Sequence, residues 1–219
     1  MSTRLMSACQ MAERIIERQA DLDEGVAWLI AQEPRFAVAL EVAGPLPLRR
    51  RPGGFAALLG AIVAQQLSVA SADAIWARLE ARGLTRPEAV LQADTEALRA
   101  CGLSGPKIRY ARALAKSGID YEALAVLPSE EVIKQLVAIT GIGRWTAEIY
   151  AMFSLGHADV FAAGDLALQE AARLLFGLQV RPSEAEIRKM ARPWSPWRGI
   201  AARALWAYYR AIKNREGIR

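Results

Sequence analysis

A chain of 219 residues, 53% hydrophobic and 23% charged, can bury a sizeable core and is not a disordered segment. Its net charge of +5 points towards polyanions. The single histidine, His157, leaves no room for Ser–His–Asp chemistry anywhere else, and two distant cysteines, Cys9 and Cys101, exclude a cysteine zinc site, a four-cysteine cluster and a disulfide framework.

Alanine, leucine and arginine dominate, so helix propensity is high throughout. Asp21 and Asp23 are candidate caps for a helix running to about Gln32, where Pro34 follows. The stretch Ala43–Gly54 holds Pro45, Pro47, Pro52 and a glycine pair around Arg49, Arg50 and Arg51, and reads as a loop and a boundary. Phe55–Gln65 is an apolar helix that ends in the polar turn Gln65-Gln66-Leu67-Ser68. Ser68 or Ser71 can cap the next helix, which ends near Gly83.

Asp94 caps a short helix that stops at Gly102. Ser104 and Pro106 open another, with Ile108, Ala111, Leu114 and Ala115 on one face, closing at Gly118. Ser129, followed by Glu130 and Glu131, starts a helix over Val132–Ile139. The tight turn Thr140–Gly143 leads into a helix from about Arg144 to Leu155. Asp165 begins a helix closing at Gly177, Ser183 and Glu186 form a capping box, and the last helix spans about Trp197–Ile212. No strand run and no repeat is visible, so the expected fold is all-α. Even Ala56–Ala64 soon meets Gln65 and Gln66, short of a membrane span, and the N-terminal MSTRLMSACQMAERII has no apolar signal core. A cytoplasmic protein with no membrane contact is expected.

Four groups of residues could carry chemistry. Gly141 and Gly143 permit a sharp turn between two helices, and the amides of Gly143, Arg144 and Trp145 open the second helix, where unpaired N–H groups hold phosphate. An ordinary glycine corner between helices satisfies the same spacing. Asp165 lies between apolar flanks; it is either a plain N-cap or a carboxylate held in a partly dry cleft, and one Asp can be both. Of six tryptophans, Trp145, Trp194, Trp197 and Trp206 follow the turn, and each is either core or a surface on which a nucleobase stacks. Gln65 and Gln66 are either a polar turn or a wedge that fills the gap left by an extruded base.

Taken together, these segments resemble the helix-hairpin-helix DNA glycosylases, and within them the 3-methyladenine DNA glycosylase II type. The resemblance rests on Ala64–Ala70, the hairpin Thr140–Ala147, Asp159-Val160-Phe161 with Asp165 after it, and Trp194–Arg198 followed by Trp206. It covers roughly residues 21–212. It implies two helical lobes with DNA between them: residues 1–50 with 146–219 carrying the catalytic Asp, and a central bundle of 51–145, the hairpin motif spanning about 129–155. It places Asp165 as catalytic carboxylate, Trp145, Trp206 and Tyr150 around the base pocket, and Gln66 and Leu67 at the wedge. Gly141, Gly143, Arg144, Thr146 and Lys107 fall where phosphates are bound. Carbonyls of Val137, Ile139 and Ile142 match positions that can hold a monovalent cation; no metal or cofactor is required. Where the family has pocket aromatics, this chain has Ile149 and Leu166, and it is too short for the extra N-terminal α/β subdomain of the best-known bacterial members.

The implied activity is monofunctional hydrolysis of the N-glycosidic bond of alkylated bases in duplex DNA by a monomer. An oxidised- or deaminated-base glycosylase, or a non-catalytic DNA-binding module, are the alternatives. One carboxylate suffices for an alkylated purine because the base is already cationic and leaves neutral, so only charge developing on the sugar needs support.

Overall fold

The structure, a computed structural model, describes residues 13–215, and Cys9 lies outside them. Among the described residues it is all-α, with thirteen α-helices and no named strand. They are α1 (Gln19–Gln32), α2 (Arg35–Ala43), α3 (Gly54–Ala64), α4 (Val69–Ala81), α5 (Pro87–Gln92), α6 (Thr95–Ala100), α7 (Gly105–Lys116), α8 (Tyr121–Ala125), α9 (Ser129–Val137), α10 (Arg144–Tyr150), α11 (Leu166–Phe176), α12 (Glu184–Met190) and α13 (Arg198–Arg215). A π-helical turn, Ala151–Leu155, continues α10. Among the described residues no helix is long and apolar enough to cross a membrane.

Most ends follow the local chemistry of the chain. Ser68 accepts from the N–H of Ser71, Asp94 from that of Ala97, and Ser183 and Glu186 close a reciprocal capping box. Two predicted starts differ. Asp21 sits three residues inside α1 and reaches back to the N–H groups of Glu17 and Arg18, so it closes the helix end from within rather than capping it. The helix at Ser129 starts after Pro128, and Ser129 spends its side chain elsewhere. The short helices α2, α5 and α8 were not predicted: each has at most nine residues, too few for a clear apolar period.

The larger core runs from Phe55, Leu58 and Ile62 of α3 through Val132, Ile133 and Leu136 of α9 to Ile200, Ala204 and Leu205 of α13. It crosses the predicted boundary between the lobes without a break. A smaller cluster, Val63, Ile75, Leu79, Leu98, Cys101 and Ile108, ties α4, α6 and α7 to the end of α3. Against α1, Gly25 leaves room for the ring of Trp197; a Cβ there would come within 2.6 Å of it. The packing of α13 against α2 and α11 carries Trp206 to the start of α11.

Candidate active site

Helix α9 buries Val132, Ile133 and Leu136 and ends in the turn at Gly141, whose φ of +100° disfavours any side chain. The ring of Tyr110 fills the space a Cβ would occupy there. At Gly143 the backbone is extended and nothing lies within 4 Å of the Cβ direction, so this side of the turn is open. Helix α10 then begins with Arg144, Trp145 and Thr146, whose amides have no carbonyl within the helix to meet.

Of the phosphate-binding candidates, the side chain of Thr146 is buried, while Gly143 and Arg144 are exposed. The guanidinium of Arg144 pairs with Glu130 at 3.2 Å and Glu148 at 3.0 Å. Lys107 is committed differently from its sequence reading: its Nζ donates to the carbonyl of Val63 at 2.6 Å, at the end of α3, and burial lowers its pKa. Within the turn, the N–H of Ile142 donates to the Ile139 carbonyl at 3.0 Å, one of the three oxygens proposed for a cation.

Asp165 opens α11. Its Oδ1 accepts from the N–H groups of Ala167 and Leu168 at 2.9 and 3.0 Å, which makes it a helix cap. The same carboxylate does more. Oδ1 also accepts the indole N–H of Trp206 at 3.1 Å, and Oδ2 accepts that of Trp145 at 3.1 Å. Four N–H donors therefore converge on one half-buried carboxylate, an arrangement suited to an acceptor-only group. Trp145 comes from the hairpin, 20 residues earlier, and Trp206 from α13, 41 residues later. The two indoles stand beside the acid, with Trp145 at 47% exposure forming an open wall. Leu166, next to the acid, is 61% exposed.

Tyr150 is not part of this group. It is buried, its hydroxyl accepts from the N–H of Gly54 at 2.8 Å, and burial raises its pKa. It lines a pocket of about 400 Å³ with Arg51, Pro52, Gly53, Ala57, Trp76, Ile149 and Phe153. Phe153 joins that pocket to the acid, because its ring lies 5.9 Å from that of Trp206. The sequence reading missed Phe153, though Trp145, Ile149 and Phe153 follow the four-residue spacing of one helix face. It also missed Arg203, buried three residues before Trp206, with its guanidinium 4.5 Å from the centre of the Phe153 ring. Burial, then the charges of Arg50 and Arg49, push Arg203 down to about 10.

Three other polar clusters are engaged in structural contacts. Asp159, the carboxylate six residues before Asp165, accepts from Arg198 and from the Ser195 hydroxyl, using both oxygens. Glu148 is held between Arg144 and Arg188, and burial raises its pKa despite them. His157, fully buried, meets the Ser129 hydroxyl at 2.8 Å through Nδ1, and Ser129 in turn bonds Glu13. That knot ties the chain before α1 to α9 and was invisible in the sequence, because its members are 28 and 116 residues apart.

The turn after α3 is exposed at Gln66 and Leu67. Gln66 has φ +58°, a left-handed conformation rare for a residue with a side chain. Gln65 turns the other way, and its Nε2 donates to the carbonyl of Gly141 at 2.9 Å.

Comparison with known proteins bears on what this arrangement is for. Residues 59–196 match the HhH-GPD superfamily of base excision DNA repair proteins. The DNA-3-methyladenine glycosylase 1 of Schizosaccharomyces pombe is 35% identical over 158 residues, 68% of this chain and 69% of the relative. Among solved structures, a DNA-3-methyladenine glycosidase from Bacillus halodurans superposes with a TM-score of 0.77 at 37% identity, covering 84% of this chain and 88% of that one. The 3-methyladenine DNA glycosylase Mag1 of Schizosaccharomyces pombe, in complex with abasic DNA, gives a TM-score of 0.71 at 29% identity, covering 84% and 95%.

Proposed function

The chain belongs to the HhH-GPD superfamily of base excision DNA repair proteins, and from that premise we propose that it is a monofunctional DNA glycosylase releasing 3-methyladenine-type alkylated bases from duplex DNA. The observation that carries the reading is the convergence of Trp145 and Trp206 on Asp165. A carboxylate flanked by two indoles offers an anion for the sugar and aromatic faces for the base.

An extruded alkylated purine is flat and cationic, and indole faces attract such rings. The base lies against Trp145 and Trp206, with Phe153 behind Trp206 closing the apolar side. Asp165 faces the sugar. As the glycosidic bond breaks, positive charge moves from the base onto the sugar, and a fixed anion lowers the energy of that step. Water then attacks, with Asp165 stabilising the oxocarbenium charge or accepting the proton. The base leaves neutral, so a second carboxyl group is not needed as acid. Free base and an abasic site are the products.

Duplex DNA runs across the cleft between residues 51–145 and the lobe of 1–50 with 146–219. The hairpin amides at Gly143 and Arg144 hold a phosphate, and Gln66 and Leu67 fill the gap left by the base. The protein works as a monomer in the cytoplasm. Incubation with methylated duplex tests the activity: abasic sites appear as alkali-labile breaks, and their absence refutes it.

A further inference from the structure

We propose that Gln65 is a positioning residue that holds the intercalating turn in register with the hairpin, so that the wedge enters the duplex at a fixed distance from the gripped phosphate. The inference rests on the glycosylase reading above and adds a residue that touches neither base nor sugar.

Gln66 is exposed yet held at φ +58°, a strained conformation for a side-chain-bearing residue that persists only where its surroundings impose it. Two bonds impose it. Lys107 of α7 donates to the Val63 carbonyl at 2.6 Å, fixing the end of α3 before the turn. Gln65 donates across 76 residues of sequence to the Gly141 carbonyl at 2.9 Å. Gly141 is itself held in place, because the ring of Tyr110 packs where its Cβ would be. Lys107 and Tyr110 lie one turn apart on α7, so one helix braces both partners of the Gln65 bond. The wedge turn and the phosphate-binding turn thus behave as a single piece. Phosphate gripped at Gly143 fixes where Gln66 meets the base stack.

Removing the donor from Gln65 frees the wedge turn without disturbing Asp165. Base extrusion then suffers, while chemistry on a base that is already unpaired does not. Gln65→Met keeps length and loses the donor; Gln65→Lys restores an N–H donor of similar reach. Single-turnover base release is measured on a 7-methylguanine opposite cytosine and on the same lesion opposite an abasic site, where no pair has to be broken. In parallel, 2-aminopurine beside the lesion reports unstacking on binding, a signal that needs no catalysis. Gln65→Met is expected to slow release about tenfold on the paired lesion, the scale of one hydrogen bond, and less than twofold on the unpaired one. The 2-aminopurine signal falls with it, and Gln65→Lys recovers both. Equal slowing on the two substrates, or an unchanged 2-aminopurine signal, overturns the proposal. A wild-type protein that unstacks the reporter but releases no base refutes the glycosylase reading and leaves the role of Gln65 standing or falling on the fluorescence.

Discussion

The indole N–H of Trp206 donates to the same oxygen of Asp165 that caps α11. The Trp206 indole and the carboxylate proposed as the catalytic anion are therefore oriented by one another, and the start of α11 holds the carboxylate. Trp206→Phe keeps an aromatic face and removes the donor. It is expected to lower base release three- to tenfold, about the worth of one hydrogen bond, with little change in melting temperature. Trp206→Ala removes the face as well and a partly buried ring that packs on the core, so its kinetics are read only beside a thermal melt. Full activity in a folded Trp206→Ala protein takes this residue out of the pocket.

The two hairpin glycines should respond differently to alanine. At Gly141 a Cβ meets Tyr110 and the backbone is at φ +100°, so Gly141→Ala is expected to cost about 1–3 kcal/mol and to weaken DNA binding. At Gly143, with φ −84° and open space, the fold tolerates alanine. Denaturant melts and DNA affinities of the two variants check this; equal stability would mean that the turn is not pinned by Tyr110.

Binding should weaken with salt. About four phosphates neutralised by lysines and arginines around the hairpin give a log–log slope of roughly −3 to −4. Arg144 must shift part of its hold on Glu130 to join them, since that pair is exposed. Glu130→Gln is therefore expected to tighten binding at low salt. Titrations from 50 to 300 mM salt test both statements, and a slope near zero rules out the phosphate grip.

Much of this was legible in the sequence, because caps and glycine turns are local. Asp165, Ser68, Asp94 and the Ser183–Glu186 box each act on amides within three residues. The convergence on Asp165 was not legible from spacing: Trp145 and Trp206 reach it through tertiary packing of α10 and α13. Family resemblance supplied that expectation, and it also grouped Tyr150 with them, although Tyr150 turns to Gly54. Lys107 illustrates the same limit. A lysine near a helix start suggests phosphate, but its stem is long enough to reach Val63 on another helix.

No strand nicking should accompany base release. A strand-cleaving step through a Schiff base needs a lysine amine at the sugar's C1′, and α10 from Arg144 to Tyr150, which presents Trp145 to Asp165, contains no lysine. Lys134 pairs with Glu131 at 3.2 Å on the exposed face of α9. Lys107, whose pKa burial lowers, is held on the Val63 carbonyl. Borohydride treatment during turnover is expected to trap no protein–DNA adduct. A stoichiometric adduct, lost in Lys107→Met, would replace water by an amine as the nucleophile.

Single-turnover release of 7-methylguanine by wild type and Asp165→Asn, on one defined duplex, tests the central claim most directly. The substitution is nearly isosteric, keeps an oxygen for the α11 amides and removes the charge. Wild type should release free base, and the variant should be slower by about 10²–10³-fold or more while binding the lesion duplex at least as tightly. Comparable rates from the two proteins would mean that the carboxylate bonded by Trp145 and Trp206 is only a helix cap.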